Sequence, residues 1–202
     1  MFAFLSSFSP KAIAVGLALA AGIVAAIGSW RLALLAFLAQ YLLASLLLVQ
    51  LIGLQVALTK ALVGTSIFFA LYLTAHQLSK GGWERIEGQS SPQAAFNSAF
   101  RLLAVLLVGL AVPSLAGRYP LPLVSPEMGL ACYWLGSMGV LAAILREEPL
   151  RAGLGLLSFL LGFELFYVAL EHSLSVLTLL GVIDLLIGLA IAYLALARRS
   201  LP

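Results

Sequence analysis

Three ionisable residues sit inside long apolar runs. Glu164 lies in Phe159-Leu160-Leu161-Gly162-Phe163-Glu164-Leu165-Phe166, and Asp184 in Gly181-Val182-Ile183-Asp184-Leu185-Leu186. Lys60 lies in Val56-Ala57-Leu58-Thr59-Lys60-Ala61-Leu62. An ionised side chain at the centre of a bilayer costs about 3 kcal/mol on insertion scales, so such residues face the protein interior and mark ion or proton paths. Burial disfavours the charged form of a carboxyl, and a neighbouring ammonium favours it. A lysine that moves toward or away from a buried acid therefore switches the acid's hold on a proton, as a proton relay requires.

The elements that must carry these residues are membrane helices. The chain has 202 residues, of which 63% are hydrophobic and 9% charged, with a mean hydropathy of +1.12. A soluble domain carries about 25% charged residues, and its surface has to be covered with polar groups. A bilayer removes that demand. About 20 apolar residues cross about 30 Å of hydrocarbon. On that rule the chain reads as an all-α integral membrane bundle, a single domain over 1–202. Seven spans are expected, at about 10–29, 32–52, 56–78, 92–112, 128–145, 152–170 and 174–197. Pro10 and Ser91-Pro92 are start signals for the first and fourth spans. Pro113 is a stop signal for the fourth.

The polar remainder is small. Ser79 to Ser91 holds Lys80, Trp83, Glu84, Arg85 and Glu87, and the loop Gly117 to Glu127 holds three prolines and reads as a structured turn. Neither is large enough for a catalytic domain. With seven spans, Arg31, Lys80, Arg85, Arg101, Arg146, Arg151, Arg198 and Arg199 fall on one side, and Lys11 and Arg118 on the other. Positive charge accumulates on the cytoplasmic side, so the N-terminus is expected outside and the C-terminus inside. The first ten residues carry no charge, unlike the basic start of a signal peptide.

At about 1.5 Å per residue, Glu164 lies roughly 9 Å, Asp184 roughly 15 Å and Lys60 roughly 6 Å from the outer ends of their helices. All three fall in the outer half or the midplane, and a lateral relay among Lys60, Glu164 and Asp184 is the candidate translocation site. Each also has a purely structural reading. Lys60 can snorkel to the interface along its long stem, and either acid can stay protonated and bond a backbone carbonyl. In the first span, Ala14, Ala18, Gly22 and Ala26 form a small-residue stripe that lets a helix approach closely. It reads as internal packing or as a docking face for a partner.

Several chemistries are excluded. The single cysteine, Cys132, permits no internal disulfide and no zinc pattern. His76 and His172 fall on opposite faces and cannot together ligate one haem or metal. Glu171 and His172 read as a solvated outer turn. The last span lacks the lysine of a retinal protein. No nucleophile triad, phosphate-binding loop or nucleotide fingerprint occurs, so no catalytic residue, cofactor, metal or nucleic-acid partner is expected.

The last two spans resemble a known family. Leu160-Leu161-Gly162-Phe163-Glu164-Leu165, then Ile183-Asp184-Leu185-Leu186-Ile187-Gly188-Leu189-Ala190 and the terminal Arg198-Arg199, resemble the K subunit of bacterial complex I. The stretch Gln40 to Leu48 and Ala57-Leu58-Thr59-Lys60-Ala61-Leu62 resembles the early helices of the E component of hydrogenase-4 and formate hydrogenlyase complexes, which carries further helices before a K-like portion. The likeness covers roughly 30–78 and 150–199. It departs in three ways: a spacing of 20 between the acids is short, Leu165 replaces an asparagine, and Thr178 lies where a further glutamate is expected.

The resemblance implies that Glu164 and Asp184 stand at the two acidic positions of the K subunit. It further implies a multi-pass, non-catalytic subunit of a bacterial or archaeal cytoplasmic membrane. Its partners would be antiporter-like and other membrane subunits of a complex-I-like or group 4 hydrogenase-like assembly, where it would contribute to proton or sodium movement. Two other readings stand beside it. One is an accessory subunit of another respiratory or photosynthetic complex. The other is a self-contained small ion transporter, against which the chain shows no repeated halves and no pair of broken helices.

Overall fold

The computed structural model describes residues 9–80, 92–121, 124–146, 148–170 and 174–200. Among these the chain is all-α, in seven helices: α1 Pro10–Ala26, α2 Trp30–Leu51, α3 Leu54–Lys80, α4 Pro92–Arg118, α5 Pro126–Ile144, α6 Pro149–Leu170 and α7 Leu174–Ser200. Six are long and apolar enough to cross a membrane; α1, with 17 residues, is shorter. The exposed polar segment expected around Trp83, Glu84, Arg85 and Glu87 lies outside the described residues, as does the turn with Glu171 and His172.

Most helix ends lie within three residues of the sequence reading, and two of the differences have a local physical cause. The first span, expected to reach residue 29, stops at Ala26. Ile27 turns to extended geometry, and the Arg146 Nη2 donates to the carbonyls of Ile27 at 2.7 Å and Ala25 at 3.4 Å. A guanidinium beside a helix C-terminus satisfies carbonyls that have no amide partner and complements the helix dipole. The fourth helix, expected to end at Pro113, runs through it to Arg118. Proline removes one amide and crowds the carbonyl four residues earlier, that of Gly109. In apolar surroundings, breaking the helix there would strand several backbone groups instead of one, so continuing costs less. The proline-rich turn is correspondingly shorter. Part of it is pinned by the Tyr133 hydroxyl, which donates to the Tyr119 carbonyl at 2.9 Å.

The helices form two adjoining groups that share the α2–α6 wall. In the first, α2, α3, α7 and α6 pack in a closed ring, each against the next. In the second, α1 and α5 close against the other side of α2 and α6, with α4 lying outside them along α5 and α1. The α2–α3 connection is a tight hairpin at Gly53, whose φ of +122° is open to glycine and strained for other residues. Tyr41 lies 12 residues before Gly53 and Gly64 lies 11 after it, so the hairpin brings Tyr41 level with Gly64. A Cβ on Gly64 would overlap the Tyr41 ring, and glycine is therefore what lets the tyrosine lie flat between the helices.

Among the described glycines, the closest approaches to the backbone of another helix are between α5 and α6. A Cβ on Gly155 would meet the Ala143 nitrogen at 2.5 Å and the Gly139 oxygen at 2.7 Å, and one on Gly162 would meet the Gly136 nitrogen at 2.9 Å. Small residues at a membrane-helix interface permit such packing. The stripe on α1 does not take part in packing of this kind. Ala14 is buried, but Ala18, Gly22 and Ala26 are only half-buried, and nothing lies within 4 Å of a Cβ placed on Gly22.

Candidate functional site: a buried lysine between two acids

The interior of the α2–α3–α7–α6 ring holds one polar side chain from each helix: Tyr41, Lys60, Asp184 and Glu164. All four are nearly inaccessible, Lys60 at 5%, Glu164 at 4%, Asp184 at 1% and Tyr41 at 0% relative exposure. The Lys60 ammonium donates to Glu164 Oε2 and, at 2.7 Å, to Asp184 Oδ2. The Tyr41 hydroxyl donates to the same Asp184 oxygen at 2.9 Å. The Lys60 Nζ also lies 5.0 Å from the centre of the Tyr41 ring, within cation–π range.

The local sequence explains how each group arrives. Lys60 sits one turn and a half into α3, and its stem turns inward instead of snorkelling, because two acceptors wait inside the ring. Asp184 is too short to reach across the ring, so the lysine spans the gap. The Tyr41 backbone is fixed from behind. Its carbonyl accepts from Ser45 Oγ at 2.7 Å, and its ring packs on Phe37 with centroids 4.8 Å apart. On the far side, Gly181 and Gly188 of α7 let Val63 and Ile67 of α3 come close on either side of Asp184, at 3.5 Å and 3.0 Å from the respective Cβ positions.

The structure thus places Lys60, Glu164 and Asp184 in one cluster. The difference in depth assigned to the two acids is absorbed by the lysine, whose single Nζ reaches both. The histidine at position 76 is not part of it; its ring stacks on Tyr72, 6.2 Å away and 3° from parallel. Tyr41 was not identified from sequence as part of the site. Its signal was the polar pair Gln40-Tyr41 in the middle of an otherwise apolar helix.

Gln40 belongs to a second polar contact, on the shared wall. It is fully buried, and its Oε1 accepts from Ser158 Oγ of α6 at 2.8 Å. Adjacent residues of α2 therefore send one polar side chain toward Asp184 and the other toward Ser158.

In chemical terms, one ammonium faces two carboxylates. With both acids ionised the cluster is one positive charge short of neutral, and an uncompensated charge in this setting is expensive. A retained proton on one carboxyl, or a small cation beside it, closes the balance. The lysine can favour either acid with little displacement, because it already bonds both. Among the described residues no group of three histidine, cysteine or acidic side chains is placed to hold a metal ion. No family model, curated protein or solved structure matches the chain.

Proposed function

We propose that the chain is a non-catalytic, multi-pass subunit of an ion-translocating membrane complex, and that Lys60, Glu164 and Asp184 hold and pass on a proton or, in its place, a sodium ion. The observation that carries this reading is the sharing of the buried Lys60 ammonium between Glu164 and Asp184. A structural ion pair needs one acid for one base. The second acid leaves room for one exchangeable positive charge, and Tyr41 supplies a further hydroxyl at Asp184. Large apolar side chains on the outer faces of α3, α4 and α7, among them Leu62, Leu110 and Leu186, suit lipid or other membrane subunits.

The sequence resemblance extends the proposal to a parent assembly of the complex-I-like, group 4 hydrogenase-like or antiporter-like kind, in a bacterial or archaeal cytoplasmic membrane. Redox chemistry would reside in its partners. The proposed topology has all seven helices spanning, the N-terminus outside and the C-terminus inside. The contact of Arg146 with the end of α1 is in keeping with it, since it groups cations at the end assigned to the cytoplasm. Labelling of the 79–91 loop only from the outer side would overturn that orientation.

The test is ion uptake by vesicles carrying the native complex, normalised to assembled subunit. Glu164→Gln and Asp184→Asn keep shape and hydrogen bonding but abolish proton exchange. Each is expected to leave assembly intact and to lower coupled proton or sodium uptake by about tenfold or more. Glu164→Asp is expected to retain part of it. Wild-type uptake by both amide variants would place the cluster among structural ion pairs. Co-purification with flavin, iron–sulfur or antiporter-like subunits would support the parent assembly, and a pigment-bearing partner would overturn it.

A further inference from the structure

The Gln40–Ser158 pair has a polar end left over. Ser158 Oγ lies 2.9 Å from the Leu154 carbonyl as well as 2.8 Å from Gln40 Oε1, and a hydroxyl has a single proton to give. Gln40 Nε2 meets no acceptor, although Gln40 is 0% and Ser158 1% exposed. Turning the amide over does not resolve this. Nε2 would then donate to Ser158 Oγ, Ser158 to Leu154, and Oε1 would be left over. In either orientation a buried amide ends without a partner, and buried polar groups of this kind are completed by ordered water. Water alone suits both orientations, since it both accepts and donates.

The position of the pair gives that water a role. On α6, Arg151 and Ser158 are seven residues apart, two turns along nearly the same face, and Arg151 is itself buried. Gln40 is the chain neighbour of Tyr41, which bonds Asp184. Along α6, Ser158 falls between Arg151 and Glu164, so the Gln40–Ser158 pair lies between the cluster and the end that carries Arg146 and Arg151. We propose that Gln40 and Ser158 form a water-binding site, and that its water is the step by which protons pass between that end and the Lys60–Glu164–Asp184 cluster. The second half of this proposal rests on the translocation reading; the binding of water does not.

The test uses the full chain in lipid nanodiscs, with glutamine side chains labelled with nitrogen-15, and solid-state magnetisation transfer from water. The expected result is a cross-peak from bound water to the Gln40 amide in the wild type that is lost in Ser158→Ala. Gln40→Leu is expected to lower the unfolding temperature by about 3 °C, because it removes a satisfied amide and strands the water's other partner. Absence of the cross-peak, or a higher unfolding temperature for Gln40→Leu, would overturn the site. In the assembled complex, Gln40→Leu should slow proton uptake through the arginine-bearing end. Unchanged uptake, with the cross-peak present and Glu164→Gln inactive, would overturn the route alone. If Glu164→Gln and Asp184→Asn both show wild-type uptake, the translocation reading fails while the water site stands or falls by its cross-peak.

Discussion

The two helix groups that share the α2–α6 wall are held together by different means. Around Lys60, four helices converge on side chains: an ammonium, two carboxylates and a phenol, each reaching inward from its own backbone. Between α5 and α6, glycines bring the backbones close, with Gly139 and Gly155 facing each other and Gly162 facing Gly136. The glycine interface has one solution, because a backbone cannot be rearranged locally. The polar cluster has several, because a lysine can lean toward one acid or the other and a proton can move between them. Under the proposed function, a bundle that stays assembled while charge shifts inside it would gain from having both, the rigid seam next to the adaptable ring.

Substitutions that act on one group and spare the other sharpen this contrast. The largest effect is expected from Lys60→Met, which leaves two buried acids without their cation; removing one member of a buried ion pair costs about 3–5 kcal/mol. Thermal unfolding in nanodiscs should show it as a large loss, and Lys60→Arg as a smaller one. Next comes Gly155→Ala. Its new methyl meets the backbone of α5 and forces the helices apart, at a cost of about 1–3 kcal/mol. Its signature differs from that of Lys60→Met, since crosslinks engineered across α5–α6 should weaken while the bond between Tyr41 and Asp184 persists. Gly64→Ala should behave as the mirror case, displacing the Tyr41 ring and leaving the α5–α6 seam unchanged. The smallest effect is expected from Tyr41→Phe, which removes one hydrogen bond at a net cost of about 1 kcal/mol, because Lys60 still bonds the same Asp184 oxygen and the ring stays in place. An equal loss from Tyr41→Phe and Lys60→Met would mean that the phenol, and not the ammonium, organises the ring.

How much of this was legible in the sequence follows the same division. Seven apolar runs announce seven helices, because a bilayer leaves few alternatives for an uninterrupted apolar segment. Lys60, Glu164 and Asp184 announce themselves because charge in such runs is costly. Their meeting was not legible. A helix that is apolar all round gives no indication of which face looks inward, and the neighbours of each helix are set by packing that only the folded bundle reveals. Tyr41 was hidden because most of its side chain reads as apolar, with only the terminal hydroxyl counting at the site. The pair Gln40 and Ser158 was hidden because a serine in an apolar helix commonly bonds its own backbone, as Ser158 also does with Leu154. Pro113 misled in the opposite direction. It is a stop signal in water, where a broken helix can be hydrated, and a tolerated interruption where it cannot. The small-residue stripe on α1 was visible in the sequence, whereas the backbone contact through the glycines of α5 and α6 was not singled out.

The central claim, that the Lys60 cluster serves ion movement and not merely cohesion, is tested most directly by removing its charge without leaving any group stranded. The triple variant Lys60→Met, Glu164→Gln, Asp184→Asn should recover most of the stability lost in Lys60→Met, since no buried charge remains uncompensated. Measured in vesicles as ion uptake per assembled complex, it should fold and assemble near wild-type levels and still fail to translocate. Wild-type uptake by this neutral cluster would contradict the account and leave the ion pairs as elements of packing alone.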